Sequence, residues 1–283
     1  VTLAFWGIAE AIRERQRQKL DSSQNALNWH DDSAAAVGRQ TARRWSSIVV
    51  ALGGVALSGA LIAALAPPTA GDALCYHLEL PKSFLAAHGL YVPVDNDNAT
   101  YPLLVEMWFL WGLALEGPVT AQLVHFVLGV LFVLATLELA RGVLGDAWAP
   151  VAGGMALLVP AVTNQMTAPL NDLALALFAT LAVAAWRKTD EEGHVAAWCT
   201  LCGLMLGAAL ATKYVAVLLP LAMLPPTAWR FYRSAEARPA LVRRSGAVLV
   251  IALSTSGVWY LRAAWHHGDP VYPLLSSMMG RAD

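Results

Sequence analysis

Long apolar segments alternate with short polar connections along most of the chain. A helix needs about 20 mostly apolar residues to cross a bilayer, and fewer when it is partly buried in protein. Seven segments are predicted spans: Ser46–Ala66, Thr120–Ala140, Ala147–Ala161, Asp172–Trp186, Val195–Ala211, Val215–Trp229 and Ser245–Leu261. Tyr101–Leu115 is apolar but short. It is interpreted either as a span or as a helix that lies at shallow depth in the membrane. The pattern predicts an all-α fold, a polytopic integral membrane helical bundle.

Composition agrees with a membrane protein. The chain is 57% hydrophobic and only 14% charged, whereas soluble domains carry about 25% charged residues. A net charge of −1 gives no basis for nucleic-acid binding. The three cysteines do not indicate a disulfide scaffold, and the C-x-x-C of Cys199 and Cys202 lies in an apolar helical run, where both residues are interpreted as packing.

The basic residues predict the orientation of the bundle. Lysine and arginine accumulate on the cytoplasmic side of membrane proteins. Here they cluster in residues 12–44, after the fourth predicted span and before the last one. If Tyr101–Leu115 does not cross, the connections near residues 67–100, 163–172 and 213–214 then share the outer face. Residues 1–11 are interpreted as the end of a preceding transmembrane helix, and residues 12–45 as a cytoplasmic linker that contains a short amphipathic helix.

The first outer connection carries the densest polar chemistry, in residues 71–91, GDALCYHLELPKSFLAAHGLY. On a helix that turns by about 100° per residue, Asp72 and Glu79 share one side with Lys82 at its edge. The leucines and His77 face the other side. The spacing predicts an amphipathic helix in the membrane interface over 72–87, whose polar side either lines a site or simply meets water.

Two further charged residues lie at span ends on the same predicted face. Asp172 heads a span, where the helix dipole favours a carboxylate. Lys213 closes a span beside Tyr214, where a lysine can extend its amine to the interface. Taken alone, each is explained by these structural roles. Together with Asp72 and Lys82 they favour a shared site for a substrate with an anionic head and an apolar tail.

Two polar residues lie within apolar runs. Glu106 in LLVEMWFLW requires a partner, which the sequence does not identify. His125 lies inside the second predicted span and is interpreted as a packed histidine with one hydrogen-bond partner.

An ordered series of segments carries a family resemblance. The series is PPTAGDALCYHLELPKSFLAAHGLYVPVDNDNATYPLL, LARGVLGDAWAPVAGGMALLVP, the pair ND that opens a span, GLMLGAALATKY, and WYLRAAWHHGDPVYPLL. It resembles the GT-C superfamily of polyprenyl-phosphate-sugar-dependent glycosyltransferases, in particular bacterial relatives of protein O-mannosyltransferases and of lipid A aminoarabinose transferases. The resemblance covers residues 46–276 as one transmembrane domain and leaves 277–283 as a tail.

The resemblance implies roles for the outer-face residues. Asp72 matches the acid of the first outer loop, which acts as a general base on the acceptor or helps to hold a divalent metal ion. Asp172 resembles the supporting acid of the second outer loop, and Lys82 and Lys213 would hold the lipid phosphate. Tyr214 would lie beside the lipid. Glu79 and His77 complete the predicted substrate-binding set.

The implied partners are a lipid-linked sugar donor and membrane lipids, and the implied location is the bacterial inner (cytoplasmic) membrane. The sequence also departs from the family, because many members carry paired acids where this chain has Asp72 followed by Ala73. Complete members continue with further spans and often a soluble outer domain, so the chain is expected to be a fragment or a shortened protein.

These departures leave a second hypothesis open. A non-catalytic GT-C-like scaffold subunit of a larger respiratory or photosynthetic complex would have other membrane subunits as partners. A transporter is disfavoured, because the sequence has neither an inverted repeat nor a matched pair of interrupted spans.

Overall fold

The computed structural model describes residue 10 and residues 31–190 and 193–280. Within these ranges the regular elements are all helical, which confirms the predicted all-α membrane bundle. In chain order they are α1 Asp31–Ala64, α2 Glu79–Ala87, α3 Leu104–Leu115, α4 Pro118–Leu144, α5 Ala149–Leu158, α6 Pro160–Gln165, α7 Asp172–Lys188, α8 Val195–Leu210, α9 Leu218–Arg233, α10 Arg238–His267 and α11 Leu274–Met278. Apart from residue 10, the predicted helix end at 1–11 and the linker up to residue 30 lie outside the described ranges.

Three helices in the described ranges are long and apolar enough to cross a membrane: the part of α1 at Gln40–Ala64, α4 and α10. Shorter apolar helices, α3, α5 and α8, accompany them. Of the seven candidate spans, three thus coincide with long apolar helices, and the others correspond to shorter helices that pack in the bundle. The short helices α7 and α8 contribute many of the buried side chains of the main core, so neighbouring helices supply part of their apolar environment.

The predicted span Ala147–Ala161 is interrupted. Helix α5 ends at Leu158, Val159 is extended (φ −77°, ψ 114°), and α6 starts at Pro160. A proline disfavours helical backbone at the residue before it, so Pro160 accounts for the break. The predicted span Val215–Trp229 is also divided. Its first residues belong to a short 3₁₀ turn over Tyr214–Val217, and α9 begins after this turn.

The first helix begins at Asp31, well before the predicted start of the span at Ser46. The predicted domain boundary between residues 45 and 46 therefore falls inside a continuous helix. Residues 31–45 include four alanines and three arginines, and both residue types favour helix. The described part of the predicted linker is therefore helical and continues directly into the apolar span.

The helices pack in a spatial order that differs from their order in the chain. Helix α8 lies between α10 and α7, α7 packs on α4, and α5 lies between α4 and α1. Close approach of α8 to α10 depends on Gly203 and Gly207. A Cβ atom at Gly207 would lie 2.8 Å from the carbonyl oxygen of Ala252 and 2.6 Å from Cβ of Thr255.

The two ends of the bundle differ in chemistry. At the basic end, Arg230 and Arg244 both pair with Asp190, and Arg187 donates a hydrogen bond to the carbonyl of Gly142. The opposite end, the site end, holds the connections 65–103, 159–171 and 211–217. The segments that the basic residues assigned to one side of the membrane therefore lie at one end of the molecule.

One long-range contact secures the site end. Arg262, late in α10, donates hydrogen bonds to the carbonyl oxygens of Ala99 and Tyr91. It thereby fastens the long connection between α2 and α3 to the last long helix.

Candidate functional site

An ion pair between two helix ends forms the centre of the site. Asp172 opens α7, and Lys213 follows α8. The Lys213 amine donates to Oδ1 of Asp172 at 2.7 Å, and the amide of Gln165 donates to Oδ2 at 3.2 Å. The two charged side chains remain 40% and 45% exposed, so both groups are accessible to a ligand.

Asp72 lies at the same end, next to a π-helical turn over Ala73–His77. Single π turns are uncommon and are frequent at functional sites. Burial, followed by the carboxylates of Glu106, Asp72 and Asp172, raises the pKa of the Tyr76 phenol above its ordinary value. Both predicted catalytic aspartates therefore contribute to the raised pKa of Tyr76.

The π turn changes which residues of this segment share a face. The prediction was one regular helix over 72–87, whereas the structure has the π turn followed by α2, which starts at Glu79. Helix α2 is amphipathic as predicted, since Leu80 and Phe84 are buried while Lys82 is exposed. His77, predicted on the apolar side, is buried with 2% of its surface exposed.

Buried His77 contacts a carboxylate for which the sequence offered no partner. Its Nδ1 lies 2.6 Å from Oε1 of Glu106, and the side-chain amide of Asn171 donates to the same oxygen at 3.1 Å. Glu106 is fully buried in α3. The only sequence signals for this contact were an acid in an apolar run and a histidine on the apolar side of a helix, and neither identifies its partner.

His125 holds the segment before α7 in place. Its Nδ1 lies 3.0 Å from the carbonyl oxygen of Gln165 and 2.6 Å from that of Ala168. Two carbonyl acceptors require that Nδ1 carries the proton. His125 is thus a packed histidine, with two backbone partners rather than the predicted one. It positions the residue whose side chain contacts Asp172.

Aromatic rings lie beside the ion pair. Tyr214 follows Lys213, and its ring packs against Tyr101 and Tyr260, with centroids 5.7 and 5.8 Å apart. The hydroxyl of Tyr260 donates to the carbonyl of Leu210 at the end of α8. The hydroxyl of Tyr214 is buried and has no hydrogen-bond partner among the described residues.

Glu79 and Lys82 pair with each other on the exposed side of α2. Their charged atoms are 3.6 Å apart, and the side chains are 54% and 72% exposed. The structure thus joins Lys213 to Asp172 and Lys82 to Glu79. The two lysines are held by separate acids, and their joint contact with a phosphate stays a prediction.

The turn after α10 is organised by a carboxylate that sequence reasoning did not single out. Asp269 is buried and accepts hydrogen bonds from the amides of Val271 and Ser276 and from the Ser276 hydroxyl. Burial raises the pKa of Asp269, but these hydrogen bonds outweigh it and hold the pKa below its ordinary value. Asp269 therefore stabilises the turn as an ionised acceptor.

The described residues show no cluster of side chains already arranged to hold the predicted divalent ion. In residues 31–190 and 193–280, no group of three or more histidine, cysteine or acidic side chains converges to hold a metal. Both oxygens of Asp172 already accept hydrogen bonds from Lys213 and Gln165. The metal ion stays a prediction from the resemblance.

Comparison with known families identifies most of this helical bundle. The family model described as dolichyl-phosphate-mannose-protein mannosyltransferase matches residues 102–260, more than half of the chain. The matched region includes Glu106, Asp172, Lys213 and Tyr214 and begins after Asp72. Comparisons with curated proteins and with solved structures give no match.

Proposed function

Because the chain belongs to the dolichyl-phosphate-mannose-protein mannosyltransferase family, and is thus a membrane glycosyltransferase of GT-C type, we propose that it transfers a sugar from a polyprenyl phosphate carrier to an acceptor on the outer face of the membrane. The observation that carries this proposal is the 2.7 Å contact between Asp172 and Lys213 at the end of the bundle that also holds Asp72. The proposed setting is the bacterial inner membrane, with the basic end in the cytoplasm.

The proposed reaction is a displacement at the anomeric carbon of the donor. A bond forms between the acceptor oxygen and this carbon while the bond from the carbon to the phosphate oxygen breaks. The acceptor proton passes to Asp72, and polyprenyl phosphate leaves with the bonding electrons. Asp72 suits the role of base because it is exposed and lies directly before the π turn. Both oxygens of Asp172, by contrast, already accept hydrogen bonds.

Lys213 is the proposed phosphate ligand. An ammonium group has three donors, and Asp172 uses one of them, so the remaining donors are available to the lipid phosphate. A fixed cation stabilises the charge that develops on the leaving group. In this proposal Asp172 supports the reaction by holding the amine in place.

The remaining site residues are proposed to bind the donor around this centre. Tyr214 would lie along the lipid, since its ring belongs to an aromatic group beside Lys213. Lys82 would contact the phosphate after leaving Glu79, and such an exposed pair is weak enough to exchange partners. His77 would act through its contact with Glu106 rather than by touching the substrate.

A second candidate function is a scaffold subunit without catalysis. Two observations favour it. Asp72 is followed by Ala73 rather than by a second acid, and only 17% of the apolar window of α1 is buried, which leaves most of that helix for lipid or for another subunit.

Sugar transfer by the reconstituted protein tests the proposal. With dolichyl-phosphate mannose as the probe donor and membranes of the expressing cells as the acceptor source, we expect Asp72→Asn to slow transfer by about 100-fold or more, the usual contribution of a general base. Asp146→Asn is the matched control, because Asp146 is highly exposed and pairs with Arg141 at the basic end. Wild-type rates for Asp72→Asn would remove Asp72 from the mechanism. No transfer by the wild type, with any donor, would favour the scaffold.

A further inference from the structure

We propose that Glu106 is the positioning residue of this site, which fixes the two acid-bearing segments relative to each other through His77 and Asn171. The proposal deepens the proposed function, on which it rests. It adds a residue that neither contacts the donor nor takes the proton, and that determines where the reacting groups lie.

The position of Glu106 is costly for a residue with no function. It is fully buried in the apolar helix α3. A carboxyl group in such surroundings must be paired and hydrogen-bonded to be tolerated. Replacing a buried ionic pair by apolar residues of similar volume is often neutral or stabilising. Stability alone would therefore be met as well by apolar residues in place of Glu106 and its buried partners together.

The two partners of Glu106 identify what it does. His77 is the last residue of the π turn that follows Asp72, and Asn171 directly precedes Asp172 at the start of α7. Both contact the same oxygen, His77 through Nδ1 at 2.6 Å and Asn171 through its amide, which donates at 3.1 Å. One carboxyl oxygen thus links the segment of the proposed base to the segment of the acid that holds Lys213.

Two polar atoms of the Glu106 and Asn171 side chains lack hydrogen-bond partners in the described part of the chain. Oε2 of Glu106 and Oδ1 of Asn171 are buried and have no hydrogen-bond partner among the described residues. Such atoms lower stability, and their persistence here agrees with a geometry maintained for the site rather than for the fold. Displacements of about 1 Å in a catalytic group can cost about 100-fold in rate, so a residue that fixes two segments has a large effect.

The test separates positioning from folding by measuring rate and thermal stability on the full chain in lipid nanodiscs. Glu106→Met keeps the length of the side chain and removes both hydrogen bonds. We expect it to melt below the wild type, because His77 and Asn171 lose their acceptor, and, at a temperature where both proteins are fully folded, to release the lipid phosphate from dolichyl-phosphate mannose about 100-fold more slowly. Glu138→Gln, at an exposed pair with Arg141 on α4, is the control and should retain the wild-type rate.

The same substitution in an Asp172→Asn background supplies the readout that a structural residue would not change. If Glu106 acts by placing Asp172, then Glu106→Met should slow the Asp172→Asn protein by less than about 3-fold, since coupled residues give non-additive losses. Losses that multiply in the double variant overturn the proposal. So does an unchanged rate for Glu106→Met alone.

Glu106→Gln covers the case in which Glu106→Met does not fold. The amide keeps the volume and one acceptor, so we expect a folded protein with an intermediate rate. Failure of both variants to fold would make Glu106 a structural residue and overturn the proposal. The proposed function fails separately, if Asp72→Asn and Asp172→Asn both transfer sugar at the wild-type rate; the present inference alone fails if those variants are slow and Glu106→Met is not.

Discussion

At the scale of single residues, the site depends on how two lysines are neutralised. Lys213 is held by Asp172 at 2.7 Å, whereas Lys82 faces Glu79 at 3.6 Å on an open helix surface. The shorter contact joins residues 41 positions apart in the chain and the longer one joins near neighbours. Only the first therefore has a geometry that depends on the tertiary fold, as a binding site requires.

Lys213→Gln tests this difference. We expect it to weaken binding of polyprenyl phosphate and to slow transfer by about 100-fold, because it removes the proposed charge opposite the leaving group. The melting temperature should change little, since exposed ion pairs contribute less than about 1 kcal/mol. Binding is measured by the quenching of tryptophan fluorescence on titration with polyprenyl phosphate. Lys188→Gln, at the other end of α7, is the control. Equal binding by Lys213→Gln and wild type would contradict the role of Lys213.

The sequence singled out the charged residues at this end of the bundle but did not predict their contacts. Asp72, Asp172 and Lys213 stand out because charged residues at span ends are uncommon in so apolar a chain. The partner of Glu106 could not be predicted, since His77 and Asn171 lie 29 and 65 positions away from it and the π turn alters the phase of His77. Periodicity describes regular helices, and the site is built from the places where regular helix fails.

At the scale of helices, close packing of α8 on α10 supports the site end. Gly203 and Gly207 face α10 with no room for a side chain. Small residues at four-residue spacing allow membrane helices to approach closely. This contact places the end of α8, and therefore Lys213, beside the aromatic residue Tyr260 of α10.

Gly207→Ala should weaken this packing. The added Cβ would lie 2.8 Å from a backbone oxygen, which cannot move without shifting α10, and overpacking of this kind costs about 1–3 kcal/mol. Gly257→Ala is the matched control, because nothing lies within 4 Å of the added atom and alanine favours helix over glycine. We expect thermal unfolding in detergent to show a lower midpoint for the first variant only. Equal midpoints would mean that the helices separate without cost.

The sequence predicted where the helices lie, but it did not predict where they are interrupted or extended. The apolar runs located α4, α7 and α8 to within a few residues. The run over 147–161 gave no sign of its interruption other than Pro160, which is also common at the first position of a helix. The polar residues of 31–45 predicted a short helix but not its continuity with the first span, because hydropathy reports the environment of a segment rather than its backbone.

At the scale of the whole molecule, a cluster of arginines and the candidate site lie at opposite ends of the helical bundle. Arg187, Arg230 and Arg244 lie at one end, where Asp190 accepts from two of them. The site lies at the opposite end. This separation follows from helices that alternate in direction, so the distribution of basic residues predicted which connections share an end.

Cysteine labelling tests the orientation of the whole chain. Cys75 is exposed at the site end, whereas Cys199 and Cys202 are buried. In intact cells, a membrane-impermeant maleimide should modify the wild type and should not modify Cys75→Ser. Modification only after the membrane is permeabilised would place the site in the cytoplasm and contradict transfer on the outer face.

The connection between α5 and α7 has a consequence for evolution. Gln165 uses its side chain on Asp172 and its carbonyl oxygen on His125, so the length of the segment from Val159 to Asn171 is constrained at both its ends. A single inserted residue would rotate Gln165 away from both partners. Length differences among homologous chains should therefore be rare in this segment and frequent at turns of the basic end, such as residues 145–148.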